Sequence, residues 1–274
     1  MPEDFQGVAR PFHYANQRST FVISPSLTSG SIVISRALEH LCRDRGAAAT
    51  LLMPALTSTE PGPLPVPRIR LAESPFVLTY VGLGARRDRL EQIVAIAAAL
   101  VEKGLPVRLQ LLGLSGAAQR DATDLARARH LDGTSISGWV TREALEAAMQ
   151  ASDAFIFLRG DDLSGRSAFP TRLPELMLTG RPVICSRVGD IPLYLHDGQD
   201  LLFVDGPDVE RIATRVTSLA RTEGALAALG TRGALAAVRE FDYRPWGRRL
   251  MAFMEDAAAD TRNPAVQPSP HDPR

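Results

Sequence analysis

The sequence has no excess of either charge. Lys+Arg and Asp+Glu both number 31. Nucleic-acid binders carry a basic excess, so a broad polyanion-binding surface is excluded, while a local basic pocket for one small anion stays compatible. Cysteine is scarce, with Cys42 in a helical pattern and Cys185 in an apolar strand. They read as two separate buried thiols rather than a disulfide, which fits a reducing cytoplasm. The five histidines are scattered without metal-ligand spacing. No apolar run is long enough to span a bilayer; the longest is Ile93 to Val101. The first residues, MPEDFQG, are acidic and lack an apolar stretch, so no signal peptide is expected. There is no G-x-S-x-G, no G-x-x-x-x-G-K-S/T, and no Ser/His/Asp or Cys/His order of a hydrolase. The expected location is the cytoplasm, with peripheral attachment to the inner membrane face as an extension of it.

What is present is enough for a real core. The chain has 274 residues, of which 45% are hydrophobic and 23% charged. Two short β-branched runs, STFVIS and SIVIS, open the ordered pattern. Arg36 to Arg45 reads as a helix closed by Gly46, and a strand follows at Thr50 to Met53. Six prolines between residues 54 and 75 exclude regular structure and mark a linker at 56–75. From Phe76 the pattern alternates. Strands are expected at Phe76–Gly82, Val107–Gly113, Ser135–Gly138, Ala154–Leu158, Arg181–Ser186 and Leu201–Val204. Helices are expected at Arg87–Lys103, Ser115–His130, Thr141–Ala151, the stretch after Pro170, Ile191–His196, Asp208–Arg221, Ala225–Glu240 and Trp246–Asp256. In Arg87–Lys103 the residues Leu90, Ile93, Val94, Ala97 and Val101 share one face. This alternation implies an α/β fold, a Rossmann-like parallel sheet with helices on both faces. The apolar strands FVLTYVG, VRLQLLG and PVICS agree with a sheet covered on both sides. The tail, residues 257–274, rich in Ala, Pro and Asp, is expected to be disordered.

Ligands of such sheets sit outside the carboxyl ends of the strands. The turns after Gly82, Gly113, Gly138, Leu158 and Ser186 are therefore the places to search. GLGARRDR (82–89) follows a strand and opens a helix. Its glycine turn, Gly82 and Gly84, is not a dinucleotide fingerprint, because Arg87 stands where a third glycine belongs. Arg86, Arg87 and Arg89 at a helix N-terminus suit a diphosphate, through charge and free backbone N–H groups. The competing reading is a solvated turn, which cations at a positive helix end oppose. Glu175 stands in the first turn of a short apolar helix. The dipole alone favours an acid there by about 0.3–1 kcal/mol; a carboxylate accepting from paired ribose hydroxyls is the functional alternative. Asp161 and Asp162 are adjacent, which points them apart in extended chain, so a solvated acidic loop outweighs a metal site. Asp190 in VGDIP reads as an N-cap.

The segments YVGLGARRDRLEQIVAIAAALVEKG, VRLQLLG, SISGWVTREALEAAMQASDAFIFL and FPTRLPELMLTGRPVICSRVGDIPLYLHDGQDLLFV occur in this order. In that order they resemble the C-terminal, donor-binding domain of GT-B-fold glycosyltransferases of the family 4 type, over residues 76–256. The run from Phe169 to Val204 is most similar to the branch with an FPTK and V-G-D-I-P pattern. Residues 1–55, through SIVISRALEHLCRDRGAAATLLMPA, look like the last strand–helix–strand of the acceptor-side N-terminal domain, most of which is missing. The resemblance implies transfer of a sugar from a nucleotide-diphosphate-sugar donor with retained configuration, without a metal or other cofactor. It implies that Glu175 holds the ribose and that Gly138, Trp139 and Val140 face the base. Ser167, Ala168, Phe169, Pro170 and Thr171 then lie near the donor sugar. The diphosphate falls to Arg89, or to Arg86 or Arg87 with a shorter loop, together with Arg172. Two positions depart from the pattern. Ser167 replaces the first glutamate of an E-x7-E pair, and Leu83 replaces the arginine of a Gly-Arg pair. The implied partners are the donor, an acceptor, and a second copy or another chain supplying the acceptor domain. The alternative is a non-catalytic nucleotide-sugar-binding or scaffold domain.

Overall fold

The computed structural model describes residues 25–59, 74–85 and 88–261. STFVIS, most of the proline linker, Arg86, Arg87 and residues 262–274 lie outside the described residues. The chain divides into two units, one made of residues up to Pro54 and from Tyr243 onward, the other of Ala55–Asp242.

In the first unit β1 (Ser31–Val33) pairs in parallel with β2 (Thr50–Leu52), joined by α1 (Arg36–Asp44). Ser35 caps the helix by accepting from Leu38 N–H, and Gly46 takes the left-handed conformation just past its end. The last helix, α10 (Tyr243–Thr261), belongs to this unit. This corrects the expected domain 76–256, which ends instead at Asp242. Close packing explains it: a Cβ at Gly30 would stand 2.6 Å from the Phe253 ring. The helix also runs through residues 257–261, where a disordered tail was expected, because Ala257, Ala258 and Ala259 extend it at little cost.

The second unit is a six-stranded parallel sheet in the order β5-β4-β3-β6-β7-β8. Its strands are β3 (Phe76–Val81), β4 (Val107–Leu112), β5 (Ser135–Ile136), β6 (Ala154–Phe157), β7 (Val183–Ser186) and β8 (Leu202–Val204). The helices are α2 (Leu90–Glu102), α3 (Gly116–Ala128), α4 (Arg142–Ala151), α5 (Leu163–Ser167), α6 (Leu173–Leu178), α7 (Ile191–Tyr194), α8 (Val209–Arg221) and α9 (Ala225–Phe241). Phe76, Leu78, Tyr80, Ala154, Ile156, Ile184 and Leu202 turn one way into a core with α2, α3 and α8. On the other face α6 packs on α9. Glycine makes that approach possible, since a Cβ at Gly230 would sit 2.0 Å from the Gly180 carbonyl.

Two helices differ from expectation. α2 begins at Leu90, not Arg87, and Arg89 precedes it in the left-handed region with φ 47°. Residues 93–100 are buried all round while Val101 is 43% exposed. The one-face stripe therefore understates how α2 is enclosed by the sheet, α3 and α8. α5 lies inside the stretch expected to be loop. Asp162 starts it by accepting from Gly165 N–H at 2.8 Å, and Asp161 pairs with Arg166. The adjacent acids are thus a cap and one partner of an ion pair. Asp190 stands at the N-cap of α7, but its side chain makes no capping bond.

Candidate functional site at the carboxyl ends of the strands

The chain runs β3, β4, β5 to one side and then β6, β7, β8 to the other. The order therefore reverses between β3 and β6, which is where a crevice opens in sheets of this kind. The residues around that seam decide what it can bind.

The turn after β3 is held from below. Tyr80 donates to the Asp88 carboxylate at 2.9 Å and accepts from Gly84 N–H at 3.1 Å. Asp88 also accepts from Ala85 N–H at 2.9 Å. A Cβ at Gly82 would lie 2.3 Å from the Tyr80 hydroxyl, so glycine is required for this packing. Burial, reinforced by the Asp88 charge, raises the Tyr80 phenol well above its ordinary range. It stays a donor at any physiological pH. The N–H groups of Gly84 and Ala85 are spent inside the turn.

Three turns are sewn together at this edge. Ser115 N–H donates to the Leu83 carbonyl, and Gly113 N–H donates to the Gly138 carbonyl. Gly113, with φ 83°, lets its backbone pass the Gly82 carbonyl. The base-side candidates Gly138, Trp139 and Val140 follow β5, and Trp139 is 83% exposed.

Arg89 reaches the seam. Its guanidinium lies so close to Gly160 that a Cβ there would be 2.7 Å from Nη2. The chain after β6 is compact. Arg159 N–H donates to Ser186 Oγ at 2.9 Å, and a Cβ at Gly165 would fall 1.9 Å from the Gly160 carbonyl. Ser167 and Ala168 are half-buried, and Phe169 and Pro170 are buried. Phe169 is clamped by Tyr194 and Phe241, with ring centroids at 5.8 and 5.6 Å. Thr171, Arg172 and Glu175 are exposed at the start of α6. With six residues, α6 has little dipole to reward an acid.

The structure thus brings Arg89 and the Ser167–Thr171 loop to the switch point, with Arg172 and Glu175 on the helix that follows. Gly138–Val140 stand to one side, after the edge strand, and Arg86 and Arg87 lie outside the described residues. Sequence reading missed Tyr80, Asp88 and Arg159. The strand-end position of Arg159, straight after AFIFL, was the available signal. A cleft of about 720 Å³ lined by Leu105, Asp153, Arg181 and Arg221 lies at the amino ends of β4, β6 and β7. It is at the wrong end of the sheet for a ligand of the switch point. Among the described residues no group of His, Cys, Asp or Glu is arranged to hold a metal, and no helix is long and apolar enough to cross a membrane.

The fold is that of solved GT-B proteins. Sucrose-phosphate synthase from Thermosynechococcus elongatus superposes with a TM-score of 0.68 at 20% identity, over 93% of this chain and 65% of that one. Anabaena HepE, solved with UDP and glucose, superposes with a TM-score of 0.69 at 16% identity, over 91% of this chain and 70% of that one. Residues 75–222 match the family described as glycosyl transferases group 1, and the chain belongs to that family. Among curated relatives is a GDP-mannose-dependent alpha-(1-6)-phosphatidylinositol monomannoside mannosyltransferase of Mycolicibacterium smegmatis. It is 33% identical over half of this chain, a stretch that is 35% of its own length. A D-inositol 3-phosphate glycosyltransferase of Acidothermus cellulolyticus is 32% identical over 34% of this chain and 20% of its own. The matched stretches are thus a minor part of these two enzymes.

Proposed function

We propose that the second unit binds a nucleotide-diphosphate sugar and that the chain serves a glycosyltransferase that retains the anomeric configuration. The observation that carries this reading is the placing of Arg89 against Gly160, just after β6 at the switch point, where the chain runs on to Ser167–Thr171 and Glu175. In this reading Arg89 and Arg172, with Arg86 or Arg87, neutralise the diphosphate. Glu175 accepts from the ribose hydroxyls, and Gly138–Val140 border the base. As the sugar leaves, charge grows on the diphosphate oxygens, and preplaced guanidinium groups stabilise it most at that moment. No metal is needed for that task. The acceptor is bound outside the second unit, by the rest of this chain, a second copy or another chain. Two buried free thiols, Cys42 and Cys185, fit work on the cytoplasmic side.

Calorimetry with UDP, GDP and ADP tests the reading. Micromolar binding of one of them by the wild-type chain is expected; no binding of any would refute it. Ser167 favours a second reading, nucleotide-sugar binding without transfer, because a hydroxyl stands where the resemblance implies a carboxylate. Donor hydrolysis or transfer by a chain that binds nucleotide separates the two.

A further inference from the structure

The opposite end of the sheet carries a cleft that the switch point does not use. It holds about 720 Å³ at the amino ends of β4, β6 and β7, and all its walls belong to the second unit. Leu105, Pro182 and Leu226 give it apolar sides, while Arg181 and Arg221 give it two cations. Gly224, Leu226 and Ala227, at the start of α9, close it.

We propose that this cleft binds a small organic anion, a phosphate or carboxylate head on an apolar body. The site is separate from the nucleotide-sugar reading and stands or falls without it.

The cavity and its two guanidinium groups carry the assignment. Small-molecule sites usually hold roughly 300–1,000 Å³ and combine apolar walls with a few placed polar groups. Here the cations are oriented by uncharged partners. Arg181 donates from Nε to the Ser152 carbonyl at 3.0 Å, from Nη1 to that of Thr179 at 3.4 Å and from Nη2 to that of Gln150 at 3.3 Å. Arg221 donates from Nη2 to the Lys103 carbonyl at 2.6 Å. A Cβ at Gly104, where φ is 74°, would stand 3.3 Å from that nitrogen, so glycine leaves the guanidinium its room. Carbonyl partners fix the planar forks without cancelling their charge. Two acids stand in the same walls. Asp153 is buried, and its Oδ2 accepts from Val77 N–H of β3 at 2.8 Å. Glu223 is exposed on the rim. The helix end tips this balance of two cations and two acids. α9 has 17 residues, and Gly224 brings no capping side chain to its first N–H groups. The positive end of its dipole therefore adds to the guanidinium groups and favours an anion.

The test uses 1-naphthyl phosphate as the probe and 1-naphthol as the same body without the head. Both are titrated by calorimetry into the wild-type chain and the variants Arg221→Gln and Ala227→Trp, with thermal melts alongside. The wild type is expected to bind the phosphate at one site and 1-naphthol about tenfold or more weakly, as loss of a charge-assisted contact implies. Arg221→Gln should weaken the phosphate about tenfold and leave 1-naphthol unchanged. Ala227→Trp should abolish binding of both by filling the cleft. Arg221 is exposed at the end of α8, so its variant decides alone if Ala227→Trp lowers the melting temperature. No saturable binding of the phosphate up to about 1 mM overturns the proposal. Equal binding of the two probes overturns the anion assignment, and phosphate binding unchanged in Arg221→Gln overturns the placing of the head in this cleft.

Discussion

Glu175 offers the sharpest separation of a binding role from a structural one. It is exposed in the first turn of a six-residue helix, so Glu175→Ala should change stability by no more than about 0.5 kcal/mol. The binding prediction is larger. A hydrogen bond from a neutral donor to a carboxylate is worth roughly 1.5–3 kcal/mol. Two ribose hydroxyls could double that, but solvent at an exposed carboxylate cuts it back, so one bond's worth is the expected net. That corresponds to roughly a ten- to hundredfold loss of affinity. The assay is calorimetry with the preferred nucleoside diphosphate and with its 2′,3′-dideoxy form, on wild-type and Glu175→Ala protein, with thermal melts alongside. The dideoxy ligand should bind both proteins alike, because it has no hydroxyl for the carboxylate to accept. An equal loss with both ligands would refute the ribose role, and so would a fall in melting temperature large enough to explain the lost binding.

Three further outcomes follow from the packing. Gly165→Ala puts a Cβ 1.9 Å from the Gly160 carbonyl. It should cost about 1–3 kcal/mol in denaturant melts and lower nucleotide affinity by displacing the Ser167–Thr171 loop; a neutral result would refute the close backbone contact. Phe169→Ala and Phe241→Ala should each cost about 3–5 kcal/mol, and a double-mutant cycle should return about 0.5–1.5 kcal/mol of coupling; simple additivity would refute the ring contact. Asp197 is raised by partial burial, yet bonds from Arg215 and Phe203 N–H and the Arg187 charge outweigh that and hold it below the usual carboxylate range. Its contribution is therefore present above the ordinary carboxylate pKa, about 3.9, and is lost as pH falls through its lower folded value. Asp197→Asn should destabilise by about 1 kcal/mol at pH 7 and flatten the acid limb of the wild-type stability curve; an unchanged acid limb would refute the pairing.

The order of elements in the second unit was legible because each apolar strand is followed by a helix long enough to cover the sheet. A cap was legible where the side chain is the cap, as at Thr141. Asp190 shows the limit, since the residue type was right for a cap while its carboxylate makes no such bond. The start of α2 was hidden for a related reason. Asp88 turns its carboxylate back to Ala85 N–H and Tyr80, which ends the loop three residues later than helical periodicity suggests. The fate of α10 was hidden because local pattern gives a helix but not the partner it packs on. It falls in the first unit, where Phe253 meets Gly30, more than 200 residues away along the chain.

The site was legible in part and for a definable reason. Arg89, Glu175 and the Ser167–Thr171 loop stand in single stretches, where spacing along the chain is also spacing in space. Arg159 comes from a different strand end, where its N–H bond to Ser186 Oγ holds the backbone. Residues on different strand ends meet only in the fold, and a motif read along one stretch does not show them. The same logic bears on Ser167. Its missing carboxylate leaves transfer in doubt only if no acid reaches that place from another strand end. At the turn after β3, Asp88 is already occupied by Tyr80 and Ala85 N–H and so is not free to substitute. Asp88 therefore does not refill the acid position from the β3 side. A transfer assay on a chain already shown to bind nucleotide is therefore the experiment that weighs Ser167.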